Sequence, residues 1–480
     1  MKPEWLLVTA DDLDYELQQL RDQGKDVSGL EGKFEELKAT IASDDGGIER
    51  VEDRVDVVLS SIDSDRPLEH RDEMKGLLDR ARELPERDDY PYDEPTDLQS
   101  IRKERPDGPR RLDVESTDEL LEDRLYGAWL GRCAGCLLGK PVEGWSYEKI
   151  QSFLKATDQY PLTEYVRSDV PEGTLEEFDI DPDGVFSSCI NEVDHMPEDD
   201  DTNYTVAGLS LLDEHDSEFT SEDVAQFWMR NIPILRTHTA ERVAMRNLTN
   251  LIAPPESARH RNPYREWIGA QIRADPYGYV ALGDPERAAE LAWRDARVSH
   301  IKNGVYGSMW VAAMTSVAPF TGSMTETIEI GLSEIPANSR LTDAITDVLD
   351  WYGEETGYEE AVERVHDRWD DSYYHHWCHT ISNAEIVAVG LLWGEGDLGR
   401  SICRAVNIGF DTDSHCSTVG SIVGLARGAA ELPEQWVGPL NDTIETGIDG
   451  YQRVPISRLA GDTLEIYGRM CESPASPVNR

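Results

Sequence analysis

Apolar residues recur at helical spacing along most of this chain. Leu13, Leu17 and Leu20 share one helical face, and so do Leu30, Phe34, Leu37 and Ile41. Val51, Val55, Val58 and Ile62 form a third such face, and Met74, Leu77, Leu78, Ala81 and Leu84 a fourth. Charged residues fill the opposite sides. Residues 1–90 therefore read as an acidic helical appendage, and 91–117 as a connector rich in proline and charge. From residue 118 the period stays helical, clearest over 204–213, 222–230, 285–297, 303–316, 383–393, 398–408 and 416–430. Alternating runs of period two are scarce. The expected fold class is all-α, with a multi-helix catalytic domain over 118–470.

One helix carries a second pattern. Gly127, Gly131, Gly135 and Gly139 recur every fourth residue and share a face. Glycine is costly inside a helix, so close approach of another backbone is expected there. The helix should end near Gly139, with Lys140-Pro141-Val142-Glu143-Gly144-Trp145 as a loop.

Two acidic clusters lie far apart, Glu198-Asp199-Asp200-Asp201-Thr202 and Asp411-Thr412-Asp413-Ser414. Most aspartates of so acidic a chain are solvated surface. These two differ because each opens an apolar helical run; Asp411 and Asp413 stand between Ile408/Phe410 and Val419/Ile422/Val423. Unpaired charge is costly there. Hard divalent cations take oxygen ligands of this kind, so the two clusters are expected to meet around two metal ions. His375, His376 and His379 mimic a zinc cluster, but the aspartates define a harder site.

Charge then narrows the partners. The 480 residues carry 95 Asp+Glu against 46 Lys+Arg, a net charge of −49 spread along the chain. That disfavours nucleic-acid phosphates as partners. It fits a protein dispersed in a high-salt, halophilic cytoplasm. The screening length falls from about 10 Å at 0.1 M to about 3 Å at 1 M, so the melting temperature should rise as NaCl goes from about 0.1 to about 2 M. A flat or falling series would remove the halophile reading in favour of an acidic binder of basic proteins. Seven scattered cysteines do not resemble a disulfide framework, and Cys133/Cys136 read as buried packing residues. No apolar run reaches ~18 residues, so a cytoplasmic protein without membrane partners is expected.

Four motifs, in order, resemble the ADP-ribosylglycohydrolase family: the glycine helix ending in Gly139-Lys140-Pro141-Val142-Glu143-Gly144; Asp200-Asp201-Thr202; Ser299-His300-Ile301-Lys302-Asn303-Gly304-Val305-Tyr306-Gly307; and Gly409-Phe410-Asp411-Thr412-Asp413-Ser414. The resemblance implies an all-helical domain with two Mg²⁺ or Mn²⁺ ions in a central cleft. It implies metal ligands at Asp200, Asp201, Asp411, Asp413 and Ser414, with Asp199 standing where Ser or Thr is usual and its ligation open. Glu143 matches the family's acidic residue near one metal and the scissile bond, and is the candidate for proton transfer or for gating the metal that the substrate displaces. Ser299, His300, Asn303, Gly304 and Tyr306 are the candidates for binding substrate, the first four at a helix start suited to a diphosphate. The implied substrate is an ADP-ribosylated protein or a small ADP-ribosyl conjugate. Another ribosyl or nucleotide conjugate, and a non-enzymatic acidic binding protein on the same scaffold, remain the alternatives.

Overall fold

The computed structural model describes residues 9–44, 70–114 and 116–472; the helical face expected at Val51–Ile62 lies outside them. The principal helices are α1 (Ala10–Asp22), α2 (Glu31–Asp44), α3 (Arg71–Arg82), α4 (Asp118–Gly139), α5 (Asp200–His215), α6 (Ser221–Asn231), α7 (Thr239–Thr249), α8 (Lys302–Val317), α9 (Thr380–Gly394), α10 (Leu398–Val406), α11 (Thr412–Arg427) and α12 (Ile456–Glu472). The strands of the described residues are one short antiparallel pair, β1 (Thr443–Glu445) and β2 (Arg453–Pro455). The fold is all-α, as the periodicity predicts. No helix among the described residues is long and apolar enough to cross a membrane.

The chain divides into two compact units. The first comprises residues 1–92, 221–267 and 297–301; the second comprises 93–220, 268–296 and 302–480. The N-terminal stretch thus shares its unit with two segments that sequence patterning alone assigns to the catalytic span.

Within the first unit, the predicted apolar faces of α1, α2 and α3 form one cluster. It joins Leu13, Leu17 and Leu20 to Phe34, Leu37 and Ile41 and to Met74, Leu77, Leu78 and Ala81. The other side of α1 is polar yet buried, and its partners come from α7 and residues 262–267. Arg265 donates to Glu16 Oε2 at 2.5 Å and to Gln23 Oε1 at 2.9 Å. Gln19 donates to Glu266 Oε1 at 3.2 Å, and Tyr264 donates to Asp12. The Tyr15 ring lies 5.2 Å from Trp267. Removing one partner of a buried ion pair strands the other at a cost of about 3–5 kcal/mol. Glu16→Ala should therefore lower stability by about that much in chemical denaturation. A loss below about 1 kcal/mol, the scale of a surface pair, would mean that the Arg265 contact carries no weight.

Within the second unit, α4 and α11 run antiparallel with their backbones in contact. A Cβ built on Gly127, Gly131, Gly135 or Gly139 would fall within 3.0 Å of the carbonyl oxygen of Gly424, Gly420, Cys416 or Thr412 respectively. Gly420 and Gly424 return the approach against Gly131 and Gly127. The ladder fixes the register of the pair and sets the end of α4 beside the start of α11. α11 ends at Arg427, three residues before the expected 430, because Gly428 turns left-handed with φ +86°. The connector is held by charge. Glu94 accepts Arg340 at 3.0 Å and Asn303 at 2.8 Å, with Lys302 at 3.8 Å. Burial alone would raise the Glu94 pKa; Arg340, Lys302 and Asn303 together bring it down to about 2.

Candidate metal centre

Both acidic clusters stand at helix N-termini. Asp199 caps α5, with Asp200 and Asp201 in its first turn; Asp411 precedes α11, with Asp413 in its first turn. The partial positive charge of those termini favours carboxylate there. Gly409 (φ +83°) and Phe410 (φ +62°) are consecutive left-handed residues that swing the chain into α11. Phe410 is fully buried, so packing holds a conformation that a bulky residue rarely adopts.

The clusters meet inside the second unit although about 210 residues separate them. Ser414 Oγ donates to Asp201 Oδ2 at 3.0 Å, which ties α11 to α5. Ligand atoms of Glu143, Asp411 and Asp413 lie within 4.8 Å of one another, as do those of Asp199, Asp200 and Asp201, and those of Cys136, Asp199 and Asp413. Asp199, Asp201, Asp411, Asp413 and Ser414 are buried, while Asp200 and Glu143 are partly exposed.

Electrostatics separate these acids. Burial, then the charges of Asp413, Asp199 and Asp200, hold Asp201 well above the carboxylate range. Burial, then Asp413, Asp201 and Glu143, do the same to Asp411. Asp413 is pushed up to about 7 by burial and then by Asp199, with Lys140 opposing. Burial and then Asp413 push Glu143 upward; its partial exposure relieves some of the first cause. Asp199 goes the other way. Burial would raise it, but the charge and hydrogen bond of Lys140 bring it below the usual range. Lys140 Nζ lies 2.6 Å from Asp199 Oδ2.

Two buried oxygens, Asp201 Oδ1 and Asp413 Oδ1, have no hydrogen-bond partner. Buried carboxylate oxygens are normally satisfied. An acid-rich cluster with orphaned oxygens and a nearby hydroxyl is the donor set that a hard divalent cation takes. The residues present therefore fit the metal centre that the sequence patterning leads one to expect.

Patterning missed three contributors. Lys140 is visible in the motif, but nothing in its spacing assigns it to Asp199. Arg132, fully buried on α4, donates to Asp275 Oδ2 at 2.9 Å and to the carbonyls of Asp201 (3.2 Å) and Ile272. A charged residue inside the glycine ladder was the available signal. Cys136 reads from sequence as simple packing; it is buried, and it also borders Asp199 and Asp413. Cys416 does serve packing, donating to the Ile402 carbonyl at 3.4 Å.

The predicted substrate-binding residues fall in both units, Ser299 and His300 in the first and Asn303, Gly304 and Tyr306 in the second. Asn303 donates to Glu94 and accepts the Leu341 backbone N–H at 3.1 Å, so both ends of its amide serve the fold. Tyr306 donates to the Pro95 carbonyl, and Gly304 is buried in α8. Ser299 and His300 are buried in the first unit, with Ser299 Oγ 2.8 Å from His300 Nδ1. The polar atoms of Asn303 and the Tyr306 hydroxyl thus have protein partners in this structure.

A family model of ADP-ribosylglycohydrolase matches residues 117–471, well over half of the chain. The chain belongs to the ADP-ribosylglycohydrolase family. An uncharacterized protein of Archaeoglobus fulgidus is 24% identical over 332 residues, covering 67% of this chain and 93% of its own. Among solved structures, an ADP-ribosylglycohydrolase-related protein complex aligns with 18% identity and a TM-score of 0.46, over 73% of this chain and 99% of that one. Membership supports a glycohydrolase, and the acidic clusters are groups able to hold metal.

Proposed function

We propose that the protein is a divalent-metal-dependent hydrolase that cleaves the glycosidic bond between ADP-ribose and a protein side chain or small acceptor. One observation carries this reading: two distant acidic segments converge on a buried cluster whose Asp201 Oδ1 and Asp413 Oδ1 lack hydrogen-bond partners. Asp200, Asp201, Asp411, Asp413 and Ser414 would hold two ions, Mg²⁺ or Mn²⁺. Such ions, when bound, polarise substrate oxygens and lower the pKa of water.

The chain's own groups do the remaining work. Cleavage at ribose builds positive charge at the anomeric carbon, and the leaving group needs a proton. Glu143, partly exposed beside Asp411 and Asp413, is placed to hold or move a proton at its carboxyl oxygens. Buried Arg132 helps to position the first turn of α5 by donating to the Asp201 carbonyl. Holding the reacting groups in register in this way removes much of the entropic part of a barrier. Buried free thiols, with Cys471 alone exposed, support a reducing, cytoplasmic setting.

The test is release of free ADP-ribose from modified proteins carrying different acceptor linkages, assayed at high and low salt. Release that stops with chelator and returns with Mg²⁺ or Mn²⁺ is expected. No release from any linkage, with turnover of another ribosyl or nucleotide conjugate, would transfer the reading to that substrate class.

A further inference from the structure

The carboxylates of the cluster differ in one respect that proximity hides. By distance alone Asp199 belongs with the others, since it is within 4.8 Å of Asp200 and Asp201 and also of Cys136 and Asp413. By satisfaction it stands apart. Its Oδ1 accepts the backbone N–H of Asp201 at 2.9 Å, which is the capping bond of α5. Its Oδ2 accepts Lys140 Nζ at 2.6 Å. Both oxygens are hydrogen-bonded, whereas Asp201 Oδ1, 3.7 Å from the Arg132 guanidinium, and Asp413 Oδ1 are buried without a hydrogen bond.

Lys140 is equally committed. It is the first residue beyond α4, one helical turn after Cys136, and the glycine ladder presses this end of α4 onto the start of α11. Its side chain is 17% exposed and that of Asp199 is 1% exposed. A buried ammonium is costly without a counter-ion, so removing Asp199 from it would strand the charge. A cation that took both Asp199 oxygens would have to break the helix cap and strand that ammonium as well.

We infer that Lys140 is a cation tethered in the metal centre, that Asp199 is its counter-ion and the cap of α5 rather than a metal ligand, and that the divalent cations are held by the remaining acids. This inference rests on the metal-dependent reading of the site. Lys140 and Asp199 together are neutral, so the pair sets the position of α5 without adding charge for metal. Lys140 also repels divalent cations from that side of the cluster and makes the site selective against loose, excess metal.

Two measurements test it, both on the full chain. In the first, Mn²⁺ is titrated calorimetrically into chelator-stripped wild type, Lys140→Met, and the double variant Lys140→Met/Asp199→Asn. Asparagine caps helices as well as aspartate does, which keeps α5 capped. Lys140→Met should bind Mn²⁺ on the order of 10-fold more tightly, because a like charge is gone and a carboxylate is freed. The double variant, which removes a neutral pair, should match wild type in ion count and lie within about 3-fold in affinity, inside the usual factor for a site left electrostatically unchanged. Loss of an ion, or a 10-fold or greater loss of affinity, in the double variant would overturn the inference. The second measurement needs no variant and decides the matter if the double variant does not fold. In crystals of Mn²⁺-loaded wild type, Lys140 should stay hydrogen-bonded to Asp199, with no ion bound to either Asp199 oxygen. An ion on Asp199 with Lys140 displaced would overturn the inference while leaving the metal-dependent reading intact. Wild type that takes up no Mn²⁺ would instead remove that reading.

Discussion

Asp413→Asn should cut metal-dependent turnover by at least about 100-fold, since even partners one step removed from a metal cost 10–100-fold when lost. The same change should stabilise the metal-free protein. Asp413 is pushed up to about 7 by burial and by Asp199, against about 4 for an ordinary aspartate. Between those values the folded protein holds a proton that the unfolded chain has released. Stability contributed by this group is therefore full below about pH 4, falls as pH rises to about 7, and stays lost above it. Metal-free wild type should lose melting temperature across that window, and Asp413→Asn should lose less. The comparison is a pH series of thermal melts on chelated protein. Equal slopes for both proteins, or turnover near wild type in the variant, would rule out Asp413 as a member of the centre.

Gly135→Ala should do comparable damage by a different route. The added Cβ meets the carbonyl oxygen of Cys416, which is backbone and cannot swing aside. Ordinary overpacking costs about 1–3 kcal/mol; here α4 and α11 must separate along their length, so the loss should exceed that range. Separation also moves Lys140 and Glu143 away from Asp411 and Asp413, so Mn²⁺ affinity should fall with stability. Gly461→Ala in α12 is the control, because a Cβ there meets nothing within 4 Å. Denaturation midpoints for the two variants give the answer. Similar, small changes in both would mean that the ladder does not set the register.

The contrast between these two sites shows what the sequence disclosed. Helical periodicity located α5, α8, α9, α10 and α11 to within a few residues, because each buries an apolar stripe whose spacing is local. The glycine ladder announced close helix contact, though not that Gly420 and Gly424 would be its other side. The acidic clusters were legible because aspartates beside Phe410 and Val419 need a reason. What depends on long-range pairing was not. Nothing in the local pattern says that Lys140 will meet Asp199, or that Arg132 will reach Asp275 and the Asp201 carbonyl. Nor does it say that Asn303 will donate to Glu94, or Tyr306 to the Pro95 carbonyl, more than 200 residues earlier. The same holds for α1, whose polar face finds Arg265 and Glu266 across 249 and 247 residues of chain.

The central claim is that Asp201, Asp411 and Asp413, with Ser414 and Asp200, form a centre for divalent cations. Its most direct test is a calorimetric Mn²⁺ titration of chelator-stripped wild type beside Asp413→Asn, with folding of both verified. Wild type should take up two equivalents and the variant fewer, or the same number far more weakly. Wild type that binds no Mn²⁺, or a variant that binds it as wild type does, would contradict the account.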